Sequence, residues 1–210
     1  AHTGSEQILR ALQIDNNKMG RISQASIPRC ISCVVAGCHE KPSLKATSIR
    51  AKCINDIVSA DCSVEMGYSV HGYKHYLYIV EWFTNCCFVY LLRSKGEAKT
   101  YLAQWIRYAE TKQNRVINII HIDGGEMDTT ALALEQRRKG GRLFVNQAGA
   151  HEHNGKAEIG IKHLNVRERA MRQHGGARRR FFEFSVPHAA NMKNRIPSLR
   201  KLRSFTQQGM

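Results

Sequence analysis

Residues 76–83 and 86–92 form two apolar runs separated only by Thr84 and Asn85. Segments so short, joined by two turn-forming residues, predict an antiparallel hairpin, because neither is long enough for a buried helix. The rest of the chain has to be arranged around that hairpin. Before it, residues 57–64 read as a strand, followed by a turn at His71-Gly72. After it comes a turn from Ser94 to Gly96, then a helix over 97–112 with Ala98, Leu102, Trp105, Ile106 and Ala109 at helical spacing. A β-branched run over 116–122 predicts another strand, and 129–139 another helix. Two more helices are expected over 156–172, broken only by Gly160, and over 180–195, which must accommodate Pro187. Three strands, a helix, a strand and a helix in that order predict an α/β domain with a mixed sheet, placed here at 53–205. Trp82 and Trp105 fall within apolar patterns and are expected in its core.

Ahead of this domain lies a smaller unit, 1–45. Ile8, Leu9 and Leu12 share a stripe of a short amphipathic helix over 3–14, which Asp15, Asn16, Asn17 and Gly20 should end. Pro28, the segment from Cys30 to Cys38 and the Lys41-Pro42-Ser43 turn then separate it from the larger domain. The start at Ala1-His2 and the end at Gly209-Met210 are those expected of a piece of something longer.

Charge narrows the choice of partner. Lys and Arg number 32 against 17 acids, a formal +15, and residues 155–210 hold thirteen of those cations against three acids. A surplus of this size points to a polyanion, nucleic acid first, contacted near the C-terminal helices. A merely solvated basic face is the plainer reading of the same run. The seven cysteines show no regular framework, which favours a reducing compartment. Glu81, Asn85 and Arg93 interrupt the longest apolar stretch, so no membrane span is expected.

Three acids stand out against this background. Asp61 lies within the apolar run VSADCSV, and Asp123 follows NIIHI and precedes Gly124-Gly125. A carboxylate among apolar neighbours costs folding energy unless it binds something. Divalent cations, which phosphoryl transfer on DNA uses in pairs, prefer carboxylate oxygens. Asp123 could equally cap the helix that follows it. On the helix beginning near Asn154-Gly155, Glu158, Lys162, Asn165 and Arg169 share one stripe and Ala157, Ile161, Leu164 and Met171 the other. That helix can bury one side on the sheet while turning an acid towards a metal and cations towards phosphate. An i,i+4 surface pair between Glu158 and Lys162 is the alternative. Lys156, Lys162, Asn165 and Arg169 are the candidate DNA contacts, and Arg178-Arg179-Arg180 is a further basic cluster.

The words VSADCSV, HGYKHYLYIVEWFTNCCFVYLLRSK, HIDGGEM, AHEHNGKAEIGIKHLNVRERAMR and HAANMKNRIPS resemble the integrase of copia-type LTR retrotransposons, over essentially the whole chain. The resemblance implies an RNase H-like core with a five-stranded mixed sheet flanked by helices. It also implies that Asp61, Asp123 and Glu158 bind two Mg²⁺ or Mn²⁺ ions and carry 3′-end processing and strand transfer of element DNA into target DNA. It further implies self-association and work in the nucleus, reached through a cytoplasmic particle. The N-terminal unit resembles the same family's His-His-Cys-Cys zinc module. There His2 would be the second histidine and Cys30 and Cys33 the paired thiolates, at a spacing that suits tetrahedral Zn²⁺. The first histidine would fall before residue 1, leaving that site incomplete here, and Cys38 and His39 are a second possible pair of ligands. The chain departs from the family in three places. The stretch between Asp123 and Glu158 is one residue shorter than usual; GGRLFVNQAGA looks one residue short, which would put the deletion in or beside the catalytic loop. Phe182 stands where Trp is expected, and Glu81-Trp82 stands where an acid pair is common. A catalytically inactive DNA-binding derivative and an RNase H-like nuclease are the alternatives.

Overall fold

The computed structural model describes residues 50–123, 130–146 and 155–195. The helix expected over 3–14 and the zinc ligands His2, Cys30 and Cys33 lie outside them. Five strands form one sheet: β1 Ile57–Cys62, β2 His75–Glu81, β3 Cys87–Leu92, β4 Ile119–Asp123 and β5 Arg142–Asn146, in the order β3-β2-β1-β4-β5. The hairpin β2–β3 and the pair β1–β2 are antiparallel, while β4 runs parallel to both β1 and β5. Among the described residues four α-helices accompany the sheet: α1 Ala98–Gln113, α2 Thr130–Arg138, α3 Gly155–His174 and α4 Phe182–Arg195. This is an RNase H-like mixed sheet, as expected.

Alternation along the strands divides the core in two. Val58, Ala60, Leu77, Ile79, Ile120 and Ile122 point to one face, where Leu102, Trp105 and Ile106 of α1 and Leu132 of α2 cover them. Tyr76, Tyr78 and Val80 point to the other, under Ala157, Ile161 and Leu164 of α3 and Phe182, Val186 and Ala189 of α4. With helices on both sides, β2 is buried along its whole length, so its sequence HYLYIVE lacks the polar alternation of a half-solvated strand.

Two strand boundaries differ from the sequence reading, and one strand lies where the pattern predicts none. β1 ends at Cys62, after which residues 63–74 form a loop. β4 starts at Ile119 because the Ile117 amide turns to the Glu110 carboxylate instead of a neighbouring strand, at 3.2 Å. β5 is the fifth strand, which the sequence pattern does not locate; it occupies RLFVN, within the stretch that looks one residue short. At the hairpin, Asn85 adopts a left-handed conformation at φ 59°. Glu81 closes this turn: its carboxylate accepts from the amides of Phe83 at 2.9 Å and Thr84 at 2.6 Å. Among the described residues no helix is long and apolar enough to cross a membrane.

Candidate active site

Parallel pairing of β1 and β4 sets Ala60 opposite Ile122, so Asp61 and Asp123 occupy the next rung at the carboxyl ends of neighbouring strands. Strand spacing alone brings their backbones to about 5 Å. Asp61 also lies across from Tyr78 on β2. Gly160 of α3 packs on that Tyr78: a Cβ added there would fall 2.6 Å from the ring's Cζ and Oη. The missing side chain lets α3 approach the sheet, and Glu158 sits two residues before it in the first turn. The hydrogen bond from the Lys193 ammonium to the Tyr78 hydroxyl, 2.8 Å, holds the ring from the far side.

Electrostatics join the three acids. Burial is the main cause that raises the Asp61 pKa from 3.8 to about 6. The negative charges of Asp123 and Glu158 push in the same direction, while the Cys62 amide, 2.7 Å from Asp61 Oδ1, and Lys95 oppose them. Such a group is poorly stabilised as an anion by the chain itself, and a divalent cation would reverse that balance. Three carboxylates with hard oxygen donors suit Mg²⁺ or Mn²⁺. Among the described residues, however, no three His, Cys, Asp or Glu side chains stand close enough together to hold one metal ion.

A row of side chains backs the acids two rungs down the strands, on the same face of the sheet. Ser59, His121 and Phe144 are cross-strand neighbours on β1, β4 and β5. Trp82 donates from its indole nitrogen to Ser59 Oγ at 2.8 Å, and His121 lies between Trp82 and Phe144 with ring centroids 5.9 and 5.5 Å away. Lys156 lies 4.8 Å above the Trp82 ring and donates to the Trp82 carbonyl at 3.0 Å. Trp82 and Trp105 are both in the core.

The proposed DNA contacts on α3 do not share one environment. Lys162 is exposed and Arg169 half-buried, and Lys156 is anchored to Trp82. Asn165, by contrast, accepts from the Tyr76 hydroxyl at 2.8 Å and so joins α3 to the sheet. Glu168 was also missed: it is buried, paired with Arg172 one turn on, and accepts from Ser185 Oγ of α4 at 2.9 Å. The sequence predicts Asn165 as a DNA contact and places Glu168 on neither stripe of the helix, so the structural role of both goes beyond the sequence pattern. The histidines 151 and 153 and the glycines 124 and 125 lie outside the described residues.

No family model matches the chain. It is 24% identical over 170 residues, 80% of its length, to the Retrovirus-related Pol polyprotein from transposon RE2 of Arabidopsis thaliana, of which it spans 12%. The chain is thus distantly homologous to a segment of that polyprotein. Among solved structures, it superposes on a chain of the simian T-cell lymphotropic virus intasome in complex with PP2A regulatory subunit B56 gamma. The TM-score is 0.57 with 12% identity, over 77% of this chain and 55% of the other. That likeness shows a common fold, the RNase H-like core.

Proposed function

We propose that this chain, an integrase-like core homologous to part of a retrotransposon Pol polyprotein, carries out metal-dependent end processing and strand transfer of element DNA. The observation that carries the proposal is Asp61: a half-buried acid at a strand end, on the same rung as Asp123, whose pKa Asp123 and Glu158 both help to raise. Asp61, Asp123 and Glu158 would hold two Mg²⁺ or Mn²⁺ ions, which supply charge neutralisation and a more acidic bound water or hydroxyl. The protein's own contribution is placement. β1 and β4 carry two of the acids on neighbouring strands, and the close approach of α3 that Gly160 allows at Tyr78 supports Glu158 as the third, which a bound ion would have to draw towards them. Exposed Lys162, with Arg169 further along the same helix, offers cations to the DNA backbone beside those acids. Lys156 serves by fixing the start of α3 to Trp82. Asn165 is assigned a supporting role through Tyr76 instead of direct DNA contact. Residues 1–45, with His2, Cys30 and Cys33, are proposed as part of a zinc module, and the working assembly as a homo-oligomer on nuclear DNA.

The test is end cleavage and joining on a labelled duplex, in Mn²⁺ or in EDTA. Metal-dependent joining that Asp123→Asn or Glu158→Gln reduces to background is the expected result. Binding without cleavage would assign the chain to the inactive DNA-binding alternative. Cleavage by water with no joining would instead favour the nuclease.

A further inference from the structure

Away from the acids, the turn before α4 and the loop 63–74 meet in a face that the fold does not need to be apolar. Tyr68, Val70, Phe181 and Phe184 are four of the ten large hydrophobic side chains exposed among the described residues, with Tyr68 at 68% and Phe184 at 56%. Val70, Phe181 and Phe184 lie together, and Tyr68 is two residues before Val70 on the same loop. The Val70 amide donates to the Arg180 carbonyl at 3.2 Å, and the Phe181 and Phe184 rings lie 6.3 Å apart. Cations surround them: Arg178, Arg179 and Arg180 are exposed, Arg180 stands 5.8 Å over Phe181, and Lys74 stands 4.3 Å over Tyr68.

A buried carboxylate holds this face together. Glu183 accepts from Ser69 Oγ at 2.7 Å and from the His71 amide at 3.2 Å, with His71 Nδ1 2.8 Å from its other oxygen. His71 in turn meets Phe184 edge-on at 6.1 Å. Loop and helix start are therefore presented as one preformed surface, which lowers the ordering cost of binding. Aromatic side chains with arginine are what the energetic centres of protein interfaces are made of.

We propose that this face docks an acidic protein segment, whose carboxylates meet Arg178 to Arg180 and whose apolar side chains pack on Val70, Phe181 and Phe184. A second copy fits poorly, because a two-fold contact over this face would set the arginine clusters against each other. Nucleic acid would use the cations, but Val70 offers no stacking surface, and Tyr68 and Phe181 already carry one of the chain's own cations over a ring face. The proposal uses none of the three acids, so it stands or falls separately from the catalytic reading.

Fluorescence anisotropy of the full chain with a labelled synthetic peptide alternating Asp-Glu pairs with Leu and Phe tests it. Paired Phe181→Ser and Phe184→Ser, or Arg179→Glu and Arg180→Glu, should each weaken binding about tenfold or more, as loss of an interface anchor does. A peptide of equal charge with Ser for Leu and Phe should bind about tenfold more weakly. Lys99→Glu on α1 should lower affinity only slightly, through the general field, and unfolding curves in urea should show that the variants fold. Equal affinity for the two peptides would overturn the proposal, as would indifference to both variant pairs. A Phe181→Ser, Phe184→Ser effect confined to oligo(dT) binding would reassign the face to nucleic acid. A dimer in sedimentation equilibrium that the same pair dissolves would reassign it to a second copy.

Discussion

Asp61 shows at the scale of one residue how a half-buried acid weakens the fold that holds it. Its carboxyl is raised from 3.8 to about 6, so between these pH values the folded chain keeps a proton that the unfolded chain has released. Ionisation in the fold is therefore a cost that is absent below about pH 4, grows towards pH 6 and is complete above it. A rise of that size corresponds to at most about 3 kcal/mol. In EDTA, Asp61→Asn should accordingly stabilise the protein at pH 7 by up to that amount and have little effect at pH 4, measured by urea unfolding. An equal effect at both pH values would mean that charge is not the cause. Adding Mn²⁺ should then stabilise the parent and not the variant. The acid itself was legible, because an Asp within VSADCSV has no apolar reason to be there. Glu81, Glu168 and Glu183 were not, since their partners are amides and hydroxyls supplied by the turn at 82–86, by α4 and by the loop 63–74. Nothing in a one-dimensional pattern places such partners.

Elements were legible where one periodicity dominated, as in the β2–β3 hairpin and in α1, whose buried Ala98, Leu102, Trp105, Ile106 and Ala109 match the expected stripe. β5 escaped notice because its five residues alternate too briefly to declare a strand and lie beside β4 only after α2 has crossed over. The close packing of α3 on β2 was also hidden, since Gly160 looked like a weakness in a helix. It is a fitted contact instead. Gly160→Ala should gain up to about 1 kcal/mol in helix propensity yet lose about 1–3 kcal/mol by overpacking against the fully buried Tyr78. We expect net destabilisation in urea, reduced in a Tyr78→Leu background where the ring is absent; a penalty unchanged there would place the conflict elsewhere. At the other end of α4, burial alone would raise the Glu183 pKa, but the hydrogen bonds from Ser69 and His71 bring it below the usual carboxylate range. A depressed value means that the clamp contributes above the ordinary pKa of the acid and loses its contribution as pH falls through the folded one. The Val70 and His71 amides should therefore exchange faster relative to those of the sheet in acid, and Glu183→Ala should produce the same change at neutral pH. Hydrogen exchange resolves both.

Over the whole molecule the +15 charge guarantees attraction to any nucleic acid, so affinity alone says little about where DNA lies. The salt dependence of binding is more informative, because each phosphate contact that is lost removes about one counterion from the slope. Lys162 is exposed on α3 and Arg169 half-buried seven residues on, about two turns along the helix that begins beside the paired acids. If DNA lies along that helix, Lys162→Ala with Arg169→Ala should lower the slope of log affinity against log salt by about two. Lys99→Ala with Lys112→Ala, which removes the same charge from exposed positions of α1 on the opposite side of the sheet, should lower affinity slightly through the general field while leaving the slope nearly unchanged. Equal slopes for the two pairs would mean that the protein binds DNA as a diffuse cation, and α3 would then no longer mark the DNA path past the acids.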